Sequence, residues 1–279
     1  MAYRKRSAAG PGPRSALALL PAAALLAGCA APAGTGAAAP APAPVPEEAG
    51  FDYQIGGAYP PPPGTGLVVR DRAAEPADGA YSVCYVNGFQ TQEAATARWR
   101  ADRPELLLTE DGDPVMDTDW NEQLFDVSTE ANRTALAEAV GAWIDGCAAD
   151  GFDAVEIDNL DSPLRSRGLL TEDDALAYAG LLIDRAHAAG LAAGQKNAVE
   201  SAARGAAAGF DFAVAEECAR YGECADYAEA YPGRVYDVEY RRPDFERACG
   251  RPVPGVSVVL RDLAVSPPGD PGHVHEVCG

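Results

Sequence analysis

Eight short runs of strand-forming residues recur along this chain, and nearly all of them begin apolar and end polar. They are Phe51–Ile55, Leu67–Asp71, Tyr81–Asn87, Ala154–Asn159, Leu191–Asn197, Phe210–Glu217, Val235–Tyr240 and Val256–Asp262. Helical stretches lie between them. From Thr129 to Cys147, Leu136, Val140, Trp143, Ile144 and Cys147 recur at the spacing of one helix face. A second helix begins at Thr171, with Asp174 as the partner in a partial capping box, and stops at Gly190, a residue suited to the left-handed turn after a helix. Strand, helix and next strand make a βα unit, and eight units in roughly 250 residues make a (β/α)₈ TIM barrel. A doubly wound open sheet is the rival architecture, but the chain lacks the Gly-rich phosphate turn that would support it. The segment from Asp102 to Ser128 breaks the alternation. Leu106–Leu108 and Leu124–Val127 are expected as extra strands in an elaborated loop after strand three, and that loop carries Trp120 among Asp117, Asp119 and Glu122.

The polar ends read Gln54, Arg70-Asp71, Asn87, Asp158-Asn159, Gln195-Lys196-Asn197, Glu216-Glu217, Glu239-Tyr240 and Arg261-Asp262. Inside a barrel wall each such group would cost several kcal/mol without a partner. At the C-terminal rim, where barrel enzymes place their active sites, the groups can satisfy one another and a ligand. Ordinary loop entries favour Gly, Ser and Pro rather than a ring of acids, amides and a lysine. Side chains alternate along a strand, so Glu156 and Asp158 share one face of strand four, and Val214 and Glu216 one face of strand six. These strands are next-but-one neighbours, roughly 10 Å apart, and two inward acids on them can converge to the separation that glycosidases use. Among 42 acids the default for any one is a solvated surface charge, but equivalent positions on nearby strands weaken that default for Asp158 and Glu216. Lys196 is the only lysine after Lys5, in a chain whose other cations are all arginine. That points to a need for a compact ammonium at this strand end, to bind hydroxyls or to lower the pKa of a neighbouring carboxylate.

Other chemistries find little support. His187 lies mid-helix, and His273 and His275 lie in a Pro/Gly-rich tail, so a Ser-His-Asp system is not indicated. No cofactor fingerprint is present, C-x-x-C spacing is missing, and no metal site is expected.

The first 29 residues combine a basic start (Arg4, Lys5, Arg6, Arg14), an apolar run from Ala16 to Leu26 that is short for a membrane span, and Leu26-Ala27-Gly28-Cys29. This is the order of a bacterial lipoprotein signal peptide with Cys29 as the lipidation site. Residues 30–50, rich in Ala and Pro, are expected as a disordered tether, and residues 51–279 as the folded domain. The formal net charge of −20 becomes about −24 once the cationic signal is removed, which disfavours nucleic acid and anionic membrane and favours a cationic partner. Membrane contact is then expected only through the lipid, at the extracellular face, with the domain a monomer. Six cysteines remain after Cys29, an even count in keeping with three disulfides in an exported protein. Of the 15 possible pairings, order along the chain favours Cys218–Cys224 and Cys249–Cys278, leaving Cys84–Cys147.

The segments FDYQIGG (Phe51–Gly57), CYVNGFQ (Cys84–Gln90), GFDAVEIDNLDS (Gly151–Ser162), GQKN (Gly194–Asn197), FDFAVAEEC (Phe210–Cys218) and VEY (Val238–Tyr240) together resemble glycoside hydrolase family 114, the endo-α-1,4-polygalactosaminidase barrel domains. The resemblance covers roughly residues 51–279 and implies hydrolysis of a galactosamine-containing polysaccharide without cofactor. It places the catalytic pair on Asp158 and Glu216. The family's Asn-Glu-Gln-Cys reads Ala215-Glu216-Glu217-Cys218 here, so Glu217 stands as the alternative acid. Gln54, Asp71, Asn87, Asn159, Asp161, Lys196, Asn197, Glu239 and Tyr240 are expected to bind hydroxyls and ammonium groups, and Trp120 and Tyr85 to stack on sugar rings. In this reading Asp158 attacks or stabilises the anomeric centre, while Glu216, its pKa raised by burial or by the neighbouring acid, protonates the leaving oxygen. The rival reading is a cell-surface lipoprotein that binds such glycans without cutting them.

Overall fold

In the structure, a computed structural model that describes residues 41–278, the eight runs become eight parallel strands: β1 (Phe51–Gln54), β2 (Leu67–Asp71), β3 (Tyr81–Asn87), β4 (Ala154–Asp158), β5 (Ala192–Lys196), β6 (Phe212–Glu216), β7 (Val235–Glu239) and β8 (Val256–Arg261). They pair in sequence order, with Tyr85 beside Glu156 and Asn87 beside Asp158, for example. The barrel is a (β/α)₈ TIM barrel that is nearly closed. A ninth strand, β9 (His275–Val277), runs antiparallel along the free edge of β8, with Arg261 opposite His275. The sequence reading has no ninth strand, because its Pro/Gly-rich surroundings read as a tail. Between β8 and β1 the seam is held by side chains: Arg261 Nη1 lies 3.1 Å and His275 Nε2 3.3 Å from Asp52 Oδ1, and Asp52 and Arg261 are fully buried. The Cys249–Cys278 disulfide ties β9 to the wall helix that carries Cys249.

Alternation sorts each strand into two packing layers. Phe51, Tyr53, Val69, Val83, Ala154, Phe212, Val214, Tyr236, Val238 and Val259 fill the barrel interior. Cys84, Val86, Val155, Ile157, Ala193, Ala213 and Ala215 face the helices. Gly194, an inward position of β5, sits opposite Phe212, and a Cβ there would lie 2.4 Å from its ring. Only glycine leaves room for that ring.

Two of the longer helices begin at threonine side-chain caps. Helix α1 (Glu93–Asp102) follows β3, and α2 (Glu130–Asp150) starts at Thr129, whose hydroxyl accepts the Asn132 N–H. Two short helices (Ser162–Arg165 and Ala202–Ala208) and a longer one (Glu172–Ala188) continue the outer ring. The longer one has the complete capping box between Thr171 and Asp174, and Gly190 follows it in the left-handed region at φ 82°. In the elaborated loop, Leu106, Leu107, Leu108, Leu124 and Phe125 are buried as expected. Leu107, Leu124 and Phe125 form isolated bridges rather than strands, Leu106 ends a 3-10 turn (Pro104–Leu106), and the only ladders there are two two-residue hairpins, Thr109–Glu110 with Asp113–Pro114 and Met116–Asp117 with Glu122–Gln123.

The signal peptide and Cys29 lie outside the described residues, as does the tether up to residue 40. The remainder of the expected tether touches the barrel. Val45 packs against the interior cluster, the Pro46 carbonyl accepts the Tyr236 hydroxyl, and Glu48 N–H donates to Gly233 O at 2.9 Å. Among the described residues no helix is long and apolar enough to cross a membrane.

Three disulfides form with the expected pairing: Cys84–Cys147, Cys218–Cys224 and Cys249–Cys278. The first joins β3 to α2 across a separation of 63 residues. Closing a loop of that length should contribute about 4 kcal/mol through the unfolded state. Replacing Cys84 and Cys147 together by alanine is expected to lower the urea unfolding free energy by roughly that amount. A loss under about 1 kcal/mol would show that this bridge does not restrain the unfolded chain as the entropy argument requires.

Candidate active site

The interior of the barrel changes character at its C-terminal end. Above the apolar layer the inward positions are Tyr53 on β1, Tyr85 on β3, Glu156 and Asp158 on β4, Lys196 on β5, Glu216 on β6 and, just past β7, Tyr240. Lys196 is at the centre with 2% of its side chain exposed. Its Nζ donates to the Tyr53 hydroxyl at 2.9 Å and lies 3.3 Å from Glu156 Oε1, 3.3 Å from Glu216 Oε2 and 3.8 Å from Asp158 Oδ2. The rings of Tyr53 and Tyr85 flank the ammonium, with centroids 5.2 and 5.7 Å away. Each acid is also held by its own partners. Tyr53 OH donates to Glu156 at 2.8 Å and Tyr85 OH to Asp158 at 2.6 Å. Tyr240 OH donates to Glu216 Oε1, and Asn197 Nδ2 donates to Oε2 at 2.9 Å. Because Asp158 Oδ2 and Glu216 Oε2 both contact one nitrogen, they lie within about 7 Å of each other, close enough to flank one glycosidic bond.

Three successive strands end in the same way. Asn159 after β4, Asn197 after β5 and Glu217 after β6 have φ of 70°, 51° and 58°. Left-handed geometry at a non-glycine residue costs about 1 kcal/mol, and such strain gathers at functional sites. Here it turns the chain sharply away from the rim. Asn197 then doubles back to bond both the Glu216 carboxylate and its backbone N–H.

These groups open into a cavity of about 250 Å³. Of the residues expected from sequence, Asp158, Glu216, Tyr85, Trp120, Asn159, Asp161, Lys196, Asn197 and Tyr240 line it. Asp161 is engaged by Arg165 through both carboxylate oxygens, at 2.7 and 2.8 Å. Five residues do not line the cavity. Gln54 has the wrong parity on β1: it faces outward into a network with Asp52 and Arg70, and Tyr53 is the inward residue. Glu239 likewise faces outward, where its carboxylate accepts the Ala219 and Arg220 N–H groups. Glu217 turns away on its left-handed backbone and pairs with Arg220 at 2.7 Å. Asp71 accepts the Ala73 N–H in a local turn. Asn87 shares the inward parity of Tyr85 but is buried beneath the lining, bonded to Glu122 and Asn159. The sequence reading missed Tyr53, Glu122, Asp117, Asp119, Arg165, Ile55, Leu263 and Val265 as site residues, and left Glu156 without a role. Strand parity would have found Tyr53. No local signal marks Arg165.

The charge state corrects a further expectation. Burial works to raise Glu216, but Lys196 and the hydrogen bonds from Tyr240 and Asn197 outweigh it and hold the carboxyl below its ordinary value. Asp158 is raised, chiefly by burial, with Lys196 offsetting and the Glu216 charge adding. Glu156 is pushed up to about 7 by burial despite Lys196. Lys196 is raised in turn: burial opposes its charge, but Asp158, Glu216 and Glu156 prevail.

Replacing Lys196 by methionine would leave three clustered acids without their shared cation. At pH 7 this is expected to cost about 3–5 kcal/mol of stability. In that variant Asp158 and Glu156 rise further above their unfolded values and Glu216 loses the cation that holds it low, so the folded protein binds more protons and gains relative stability as pH falls. The deficit against the native protein should therefore shrink between pH 7 and pH 5, measured by denaturant unfolding at each pH. A deficit independent of pH would remove Lys196 from the role of common counter-ion.

The sequence model of glycoside-hydrolase family GH114 matches residues 32–279. Among solved structures, Aspergillus fumigatus Ega3 in complex with galactosamine superposes with a TM-score of 0.67 at 21% identity, covering 87% of this chain and 100% of that one. The glycoside hydrolase domain of PelA from Pseudomonas aeruginosa superposes with a TM-score of 0.56 at 16% identity, covering 82% of this chain and 98% of its own. At such identities the superpositions speak for a shared fold. No curated protein sequence matches the chain. The family match spans the whole barrel and every strand that carries the acid cluster, and the chain belongs to glycoside hydrolase family GH114.

Proposed function

We propose that this glycoside hydrolase cleaves an α-1,4-linked, galactosamine-containing polysaccharide in endo fashion, with Asp158 and Glu216 as its carboxylate pair. The observation that carries this reading is the placement of the two acids, from β4 and β6, on one ammonium at the floor of one cavity. The charge balance supports a cationic sugar. Six acids line the cavity (Asp117, Asp119, Glu122, Asp158, Asp161 and Glu216) against two cations, Arg165 and Lys196. Such a lining concentrates ammonium-bearing chains. The galactosamine in the Ega3 complex is in keeping with that choice.

Exposure suggests the division of labour. Asp158 is 15% exposed and Glu216 28%, so Asp158 is the deeper group, placed under an anomeric carbon, and Glu216 stands nearer the outgoing chain. Glu216 then protonates the leaving oxygen. The resting charges favour the reverse order, since Glu216 is the more readily ionised of the two. An aryl galactosaminide with a good leaving group separates the two orders. The variant lacking the proton donor retains activity on it, and the variant lacking the group at the anomeric carbon does not.

Export to an oxidising compartment, with a lipid on Cys29 at the cell surface, completes the proposal. Three disulfides support it, since such bonds are rare in reducing cytosol.

Asp158→Asn and Glu216→Gln are each expected to lower turnover of oligogalactosamine by on the order of 10²–10⁴-fold with the circular dichroism unchanged. Products resolved by mass spectrometry should be internal fragments rather than monosaccharide. Full activity in either variant would reject the pair. Native protein that binds the oligomer and never shortens it would replace the enzyme by a glycan-binding lipoprotein.

A further inference from the structure

The hairpin Met116–Asp117 with Glu122–Gln123 brings Glu122 to the cavity beside Asp117, and its surroundings differ from those of the other buried acids there. Asp117 and Asp161 are neutralised by Arg165, at 3.0 and 2.7 Å. Glu156, Asp158 and Glu216 share Lys196. Glu122 contacts neither cation: its side chain accepts only from amides, Asn87 Nδ2 at 2.8 Å and Gln90 Nε2 at 3.3 Å, both on Oε2. Among the described residues its other oxygen, Oε1, has no partner, although the side chain is partly buried and lines the cavity.

The position is also tied to the acid pair. Asn87 donates to Glu122 and accepts from Asn159 Nδ2 at 2.9 Å, and Asn159 follows Asp158 directly. One amide therefore sets the spacing between Glu122 and the β4 acid. Burial first, with Asp158 and Asp117 adding, pushes the Glu122 carboxyl up to about 7 against the hydrogen bonds from Asn87 and Gln90, and a cation beside it would restore the charged form. Trp120, 62% exposed at the tip of the same hairpin, adds an apolar face beside it.

We propose that Glu122 is the residue that selects the free amino group of the sugar, its Oε1 accepting a charge-assisted hydrogen bond from the ammonium. This rests on the reading of the site as one for amino sugars. The mechanism of discrimination is simple: an ammonium meets an unneutralised carboxylate, whereas a hydroxyl or an acetamide brings no charge and leaves Glu122 buried without a counter-ion.

The test compares binding of galactosamine, N-acetylgalactosamine and galactose by calorimetry, in the native protein and in Glu122→Gln and Glu122→Asp. None of these monosaccharides has a bond to cleave, so the readout is independent of turnover. The native protein is expected to prefer galactosamine over galactose by on the order of 10–100-fold. Glu122→Gln, which keeps the acceptor for Asn87 and Gln90, should lose most of that preference with galactose binding unchanged, and Glu122→Asp should retain part of it. A preference that survives in Glu122→Gln overturns the assignment, as does its absence in the native protein. If the native protein prefers galactosamine through Glu122 and yet never cleaves the polymer, the hydrolytic proposal fails and this one stands. If it cleaves the polymer and Glu122→Gln keeps the preference, only this one fails.

Discussion

The ammonium of Lys196 is the interaction on which the rest of the site depends. Three carboxyl groups meet within 4 Å of one buried nitrogen. Without it, burial and mutual repulsion would keep all three protonated, and the site would hold no charge with which to act on a sugar. With it, the acids divide: Glu216 stays ionised, while Asp158 and Glu156 are shifted toward the protonated state. Arginine could not serve in its place. Its planar fork binds one or two carboxylates edge-on, whereas a compact ammonium between the rings of Tyr53 and Tyr85 reaches acids from two strands.

A second buried charge group does structural work at the opposite side of the ring. Asp52, Arg261 and His275 bridge β1, β8 and β9, where backbone pairing between the first and last parallel strands is missing. The His275 ring is lowered, chiefly by burial, although Asp52 favours its charged form. The barrel is therefore closed by a side-chain seam, and the acid cluster sits on strands far from it. β4, β5 and β6 run in regular parallel register, with Glu156 beside Gly194 and Lys196 beside Val214, and alternation turns Glu156, Lys196 and Glu216 to the same interior face.

The barrel and its chemistry were largely legible in the sequence, and the misses share causes. Apolar-to-polar runs located every parallel strand to within two residues, since a short strand buried on both faces has little freedom in where it starts. The caps at Thr129 and Thr171 were equally clear, because capping is local chemistry. Gln54 and Glu239 were misplaced because polarity marks a strand end but not its parity; the barrel wall has polar partners on both sides, and one residue of offset changes the compartment. Glu217 follows alternation away from Glu216, and a left-handed backbone carries it further, to Arg220. Arg165 and Glu122 reach the cavity from a short helix and a small hairpin, elements inserted after β4 and β3 whose course is set by tertiary packing. His275 and β9 lay within a stretch whose composition favours turns, and the pairing there is imposed by Arg261, Asp52 and the Cys249–Cys278 bridge.

The loop after β3 has its own anchorage. Leu106, Leu107, Leu108, Leu124 and Phe125 bury it against α1 and α2, leaving the hairpin tip with Asn121 in a left-handed turn and Trp120 in solvent. The acid cluster thus stands on the barrel wall, while Trp120 and Glu122 hang from a separately moored arm. Drift in that arm can reshape the mouth of the cavity while the acid cluster below it keeps its geometry.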